Sequence, residues 1–409
     1  MAKTRRLELV FNPVSGPGGL EAGLEVLELV KRILREEFDE FGVCETKPDL
    51  GCYDIVTKLL SDDLERVKGE DATSRKREQW TLVVSGGDGS IHEAVSAMRR
   101  FEKKLNSSEQ ELYVMPRLGV IPRGTGNAVA LALGIPTDPT AACALICTSH
   151  TRTLDVAHVS FPGQLDDDRS ENDPSQDRYC ILLAGVGREA IMTREATREL
   201  KSKIGVLAYG WGIFKACVDD AEKFEVKLIL DNVHDAMKFS SRRKGTVVDI
   251  DRLTVTNMKA MGVTISNLAP ISSVMSAGIG DIVPDDGLLE CVCFAPETRL
   301  DGIRAMFSMM MSGLFNVRLL RPEVFGLRAK KVVLNCNPPK QVVLDGELLG
   351  KTPMQLECEA KTVEIIAPPK KEVNTPMRKF RNMMRKIQGA VAISVVIAAS
   401  STAESVCRV

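Results

Sequence analysis

A chain of 409 residues is long enough for two or three domains with substantial apolar cores, which excludes a small disulfide-stapled scaffold. Lys and Arg number 54 against 55 Asp and Glu, a formal charge of −1, so no global basic field is available for wrapping nucleic acid, and none is expected as a partner. Hydrophobic residues at 44% and charged residues at 27% exclude wholesale disorder, and 11 Cys without a CxxC pair fit reduced thiols rather than a zinc site.

Met1 to Arg6 is basic but leads straight into the strand-like Leu7 to Phe11, so no signal-peptide core is read there. The turn Asn12-Pro-Val-Ser-Gly-Pro-Gly-Gly19 follows, and Leu24, Leu27, Val30, Ile33 and Leu34 then recur at helical spacing. The same order of strand, glycine-rich turn and helix returns at Thr81 to Ser85, Gly86-Gly-Asp-Gly89 and a helix containing Ile91, Val95 and Met98. It returns a third time at Leu118 to Ile121, Pro122-Arg-Gly-Thr-Gly126 and the apolar Ala128 to Leu133. Such repetition predicts an open, mostly parallel α/β sheet with all three glycine loops on one edge, where ligands bind in this architecture. The charged stretch Leu64 to Glu78 is read as solvated.

From Thr153 the pattern changes to strand after strand: Thr153 to Ser160, Tyr179 to Ala184, Phe224 to Leu230, Leu253 to Thr256, Val263 to Ser266, Leu288 to Phe294, Lys331 to Leu334, Val342 to Leu344 and Thr362 to Ile366. Helices are predicted over about Arg188 to Val218 and from Leu300 to Leu314. This reads as a β-rich, mostly antiparallel second domain, giving a division into 1–152, 153–368 and a tail 369–409. Within the second domain, the acidic and apolar-poor Pro162 to Arg178 (162–178) reads as a hairpin insertion. In the tail, Met377, Phe380, Met383, Met384 and Ile387 recur at helical spacing between Arg378, Lys379, Arg381, Arg385 and Lys386. Such a basic amphipathic helix either lies on an anionic membrane, helped by the apolar Gly389 to Ala399, or packs back on the β domain. That apolar run is too short to span a bilayer.

The chemistry concentrates in the loops. Glycines let backbone amides approach phosphate oxygens, and a helix starting near Ser90 adds its positive end, so Gly86 to Gly89 suits an anion. Asp88 among those amides makes sense beside a phosphate if Mg²⁺ lies between them; otherwise it is a helix cap in a tight turn. The Gly-Lys-Ser/Thr ending of a Walker loop is absent. In the third loop the hydroxyl of Thr125 lies between Gly124 and Gly126, with Arg123 offering charge nearby. Late in the chain, Asp345-Gly-Glu347 carries a hairpin-turn dipeptide together with a carboxylate.

Taken in order, Asn12-Pro-Val-Ser-Gly16, Gly86-Gly-Asp-Gly89 with Glu93, Pro122-Arg-Gly-Thr-Gly-Asn127, Ala184-Gly-Val-Gly187, Asp285-Asp-Gly-Leu288 and Asp345-Gly-Glu347 resemble the lipid kinase family that joins diacylglycerol and sphingosine kinases, most of all its bacterial-type members. The resemblance covers roughly Leu7 to Pro368. It implies a nucleotide domain related to NAD kinases and phosphofructokinases, a β-rich second domain, and ATP bound between them. It also implies that Glu347 is the general base and that Asp88 helps hold catalytic Mg²⁺ through water. Asn12, Thr46, Gly86, Gly87, Asp88, Gly89, Ser90, Ile91, His92, Gly124 and Thr125 match positions around the nucleotide. Val283, Asp286 and Leu288 match a second Mg²⁺ site, and Glu189 a position near the acceptor lipid. Ala128 stands where diacylglycerol kinases commonly carry Asp, which leaves a sphingoid base or ceramide as the rival acceptor to diacylglycerol. A lipid-sensing or scaffold protein without turnover is the rival from another class. The resemblance further implies a cytoplasmic enzyme in peripheral contact with membranes, with a homodimer also allowed.

Overall fold

The computed structural model describes residues 5–69, 79–162, 178–188, 190, 223–240, 243–269, 282–298, 300–305 and 324–369. The chain divides into two units. The first falls within Met1–Leu154 and Lys361–Lys371, the second within Asp155–Ala360 and Glu372–Val409.

In the first unit, β1 (Arg6–Phe11), β2 (Glu40–Glu45), β3 (Thr81–Gly86) and β4 (Arg117–Pro122) form a parallel sheet in the order β2-β1-β3-β4. The end of β15 (Met354–Ile366) adds a fifth, parallel strand through Ile365 opposite Leu118. Parallel strands need helical crossovers, which are supplied by α1 (Gly19–Arg35), α2 (Cys52–Gly69) and α3 (Asp88–Lys104). The short α4 (Ser107–Leu112) leads into β4, and α5 (Ala128–Leu133) and α6 (Pro139–Thr148) follow it. Leu7, Leu9 and Phe11 alternate along β1 and bury against Leu27, Val30 and Leu34 of α1 and Cys143 and Ile146 of α6. One strand was not foreseen from the sequence and one expectation changes here. The edge strand β2 is only half buried, so its apolar signal is faint. The stretch read as solvated from Leu64 begins inside α2, where Leu64 and Asp63 are buried and Asp63 is paired with Arg6.

The second unit is antiparallel. Strands β5 (Thr151–Ser160) and β6 (Arg178–Cys180) pair with each other. Next come β7 (Leu183–Gly187), β8 (Phe224–Ser240), β9 (Arg243–Ala260), β10 (Gly262–Ser266), β11 (Leu289–Phe294), β12 (Val324–Asn337), β13 (Gln341–Leu344) and β14 (Glu347–Lys351). The order β14-β13-β7-β10-β11-β12 continues through β12 to β8 and β9. Their inward residues, among them Val186, Leu228, Val263, Cys291, Val332 and Leu356, make a core separate from that of the first unit. The parallel α/β unit and the antiparallel β-rich unit are the fold class read from the sequence. The stretch Tyr179 to Ala184, expected as one strand, is two strands broken at Ile181 and Leu182, whose amides turn to a side chain instead of a ladder. Residues 300–305 are helical where a helix was expected. Most of the predicted helix over 188–218, the insertion 163–177 and the tail from 370 lie outside the described residues.

Candidate active site

In the first unit, β1, β3 and β4 run parallel and deliver their loops to one sheet edge. Backbone bonds tie these loops together: the Asn12 amide donates to Ser85 O at 2.9 Å, Thr46 to Phe11 O at 2.9 Å, and Arg123 to Gly86 O at 2.8 Å. The loops of Gly87 and Gly124 touch backbone to backbone. A Cβ on Gly124 would lie 2.8 Å from the Gly87 Cα, and one on Gly87 would lie 3.2 Å from the Gly124 Cα, so glycine is required for the loops to meet at all. A Cβ on Gly86 would strike Ser90 Oγ at 2.6 Å, whereas one on Gly89 would meet nothing within 4 Å. Gly89 therefore faces open space.

Helix α3 begins at Asp88 with Gly87 as its cap residue and no side-chain cap, leaving its positive end unneutralised by a capping oxygen. Asp88 caps a different helix. Its Oδ2 accepts from the Ala128 amide and its Oδ1 from the Val129 amide, both at 3.0 Å, at the start of α5. The neighbouring Asn127, in the left-handed region at φ 46°, spends its Oδ1 on the Gly124 amide at 2.7 Å. Asp88 is thus held in place by the third loop, and its carboxylate is of the hard-oxygen type that could hold Mg²⁺ through water. No group of three or more His, Cys, Asp or Glu side chains among the described residues makes a dedicated metal cage.

Around this frame, Asn12 Oδ1 accepts from the Val14 amide at 3.2 Å and Asn12 Nδ2 faces Ser90 Oγ at 3.4 Å. Thr125 is exposed, and His92 Nε2 lies 3.5 Å from Ser96 Oγ. Ile91 has its side chain in the core and its amide on Gly87 O at 3.2 Å, so it supports the loop from behind. Glu93 reaches across to the Tyr53 amide at 3.2 Å and fixes the start of α2. Arg123 does not offer its charge as expected. Its buried guanidinium donates to Asn12 O at 3.1 Å and lies 4.8 Å over the Phe11 ring, and burial lowers its pKa.

In the second unit, Asp345 and Gly346 form the turn between β13 and β14, at φ 47° and 93°, and present Glu347 as an exposed carboxylate at the first position of β14. The Asp345 carboxylate is gripped by the break between β6 and β7. Oδ2 accepts from the Ile181 amide at 2.8 Å, and Oδ1 accepts from the Leu182 and Leu183 amides, each at 2.9 Å, and from Cys180 Sγ at 3.2 Å. Burial, with the Asp345 charge behind it, pushes the Cys180 thiol well up, so it stays protonated and donating. The backbone Asp-Gly pattern was legible; this grip was not.

At the expected second metal site Asp286 has protein partners. Asp286 Oδ1 accepts from the Leu288 amide at 3.1 Å, and Asp286 Oδ2 is paired with the Arg328 guanidinium. Arg328 also donates to Glu290 Oε1 at 3.2 Å from the directly opposite strand position. Asp286 therefore already carries an arginine charge, and a Mg²⁺ held there with Val283 and Leu288 would have to share the carboxylate with Arg328. Burial raises the Glu290 pKa to about 8 against the pull of Arg328. Glu189 lies outside the described residues; Arg188 beside it is buried, 4.8 Å from the Phe294 ring.

Comparison with known proteins joins these two halves. The diacylglycerol kinase catalytic domain family matches residues 6–159, and the YegS C-terminal NAD kinase beta sandwich-like domain matches 185–367. The chain is 31% identical over 369 residues to an uncharacterised protein of Synechocystis sp., covering 90% of this chain and 71% of that one. It is 23% identical over 368 residues to a diacylglycerol kinase of Bacillus subtilis, covering 90% of this chain and 98% of that one. A solved structure of a diacylglycerol kinase from Bacillus anthracis shares the fold at a TM-score of 0.54 and 21% identity, over 90% of this chain and 99% of that one. With its glycine loops matched by the first of these domains and its Asp-Gly-Glu turn by the second, the chain belongs to the diacylglycerol kinase catalytic-domain family and is a lipid kinase.

Proposed function

We propose that the protein transfers the γ-phosphate of ATP to the free hydroxyl of diacylglycerol, giving phosphatidate. The observation that supports it most is the paired glycine loops with Asp88 held by the third of them, because they set a helix N-terminus and a carboxyl group at the same sheet edge. Asn12, Thr46, Gly86 to His92, Gly124 and Thr125 are proposed to surround the nucleotide, with Ile91 contributing only from the core side. Mg²⁺, held through water by Asp88, would supply neutralisation of the phosphate oxygens.

On the second unit, Glu347 is proposed to take the proton from the lipid hydroxyl. Its exposure at the tip of a rigid turn suits an acceptor that must meet a bulky lipid alcohol. Glu189 is proposed to lie near that lipid. Among the described residues no helix is long and apolar enough to cross a membrane, so access to the substrate is proposed through peripheral contact by the basic tail.

The test is transfer of label from radiolabelled ATP to a panel of diacylglycerol, sphingosine and ceramide, with Mg²⁺ titrated. Labelled phosphatidate is the expected product. Label on sphingosine or ceramide alone would move the substrate to the sphingoid class, an alternative that Ala128 in the third loop leaves open. No label on any alcohol would point to a binding protein.

A further inference from the structure

Asn267, immediately after β10, is 1% exposed and belongs to no motif. Its Nδ2 donates to two carbonyls at once, Asp155 O at 2.7 Å and Ile181 O at 2.9 Å. Its own amide and that of Leu268 donate to Leu182 O at 2.8 and 3.1 Å. The peptides of Ile181 and Leu182 are therefore pinned on both sides, with the N–H groups on the Asp345 carboxylate and the C=O groups on Asn267 and Leu268.

The second carbonyl extends the connection. The Asp155 amide donates to Pro284 O at 2.7 Å, and the Asp155 carboxylate accepts from the Gly287 amide at 2.6 Å. One side-chain NH₂ thus lies between the turn of Asp285-Asp-Gly287 and the loop that grips the turn of Glu347. The orientation of the amide is fixed, because the opposite rotation would face Asn267 Oδ1 with two carbonyl oxygens. Among the described residues that buried Oδ1 has no hydrogen-bond partner, so the donor end is the part the structure uses.

We propose that Asn267 is the positioning residue for Glu347, acting through Ile181 and Leu182 on the Asp345 carboxylate and so on the β13–β14 turn. This rests on the assignment of Glu347 as the proton acceptor, and the test separates the two. Asn267→Asp is isosteric but can donate only when its carboxyl is protonated, and then to one carbonyl alone. Its carboxylate form faces two oxygens with nothing to give.

Full-length wild type, Asn267→Asp, Asn267→Ala and Glu347→Gln are assayed with ATP and dioleoylglycerol dispersed in detergent from pH 6 to pH 8.5. In parallel, hydrogen exchange is followed in the peptides covering 178–188 and 341–351. For Asn267→Asp, kcat is expected to fall about tenfold or more at pH 8 and to recover toward pH 6, with KM for ATP unchanged, a pH signature that lost packing alone would not produce. For Asn267→Ala, the loss is expected at every pH, with exchange faster about tenfold or more in both peptides. Wild-type exchange in Asn267→Ala overturns the proposal. So does wild-type kcat in both Asn267 variants while Glu347→Gln is impaired. If Asn267→Asp does not fold, the alanine variant and its exchange decide. Full activity of Glu347→Gln overturns the base assignment instead, and the exchange arm still decides whether Asn267 holds the turn.

Discussion

Glu347 and Asp88 are both proposed to serve phosphate transfer, yet the structure gives the two carboxylates opposite surroundings. Glu347 is exposed on a turn; Asp88 has each oxygen on a backbone amide of α5. Glu347→Gln is expected to lower kcat by roughly 10²- to 10⁴-fold while nucleotide affinity holds, the scale of a lost general base. Isothermal titration with ATP beside steady-state turnover checks it, and lost ATP affinity with normal kcat would refute it. Asp88→Asn carries a second effect, since its NH₂ would confront one of the two amides. It is expected to cost about 1–2 kcal/mol of stability through the lost cap in addition to raising the Mg²⁺ needed for half-maximal rate. Thermal unfolding and a Mg²⁺ titration separate the two effects. The sequence made the carboxylate visible but hid its cap, because the donors are main-chain groups of Ala128 and Val129 that no side chain announces. Asn267 was silent for the same reason: its partners are carbonyls distant in the chain.

At the scale of elements, the glycine loops divide into positions where the loops crowd each other and positions that face open space. Gly87 and Gly124 face each other, while Gly89 faces open space. Gly124→Val is expected to push the two loops apart and lower the unfolding temperature, because the collision is with backbone. A Cβ on Gly89 would meet nothing within 4 Å beyond its own helix, so Gly89→Val is expected to leave folding near wild type while weakening ATP binding about tenfold or more. Calorimetric unfolding with a fluorescent-nucleotide titration distinguishes them, and undiminished binding by folded Gly89→Val would mean that phosphate lies elsewhere. The strand, glycine and helix repeats were legible because each loop sits between an apolar run and a 3.6-residue period. β2 and β14 were not, since one is a half-buried edge and the other an exposed hairpin arm. The break at Ile181 was also invisible, as only Asp345 draws those amides out of a strand.

At the scale of the whole chain, composition shifts near residue 153 but does not show that β15 leaves the second unit to finish as a strand of the first. That return ends early: Ile366 is in the first core, and the Ala367 amide donates to His150 O at 3.1 Å. Truncation after Pro368 therefore keeps every backbone bond that ties β15 home, and removes the segment with the Met and Phe stripe and its interleaved Arg and Lys. Each of those cations can contribute about 1 kcal/mol near an anionic surface, an attraction that weakens as salt shortens the Debye length. The truncated protein is expected to sediment less with phosphatidylserine vesicles at about 0.1 M salt, and to keep its turnover on detergent-dispersed lipid. The full chain is expected to lose its advantage as ionic strength rises. Equal vesicle binding by both forms, or a much lower unfolding temperature for the truncated one, would place the tail against the β-rich unit and remove the membrane role.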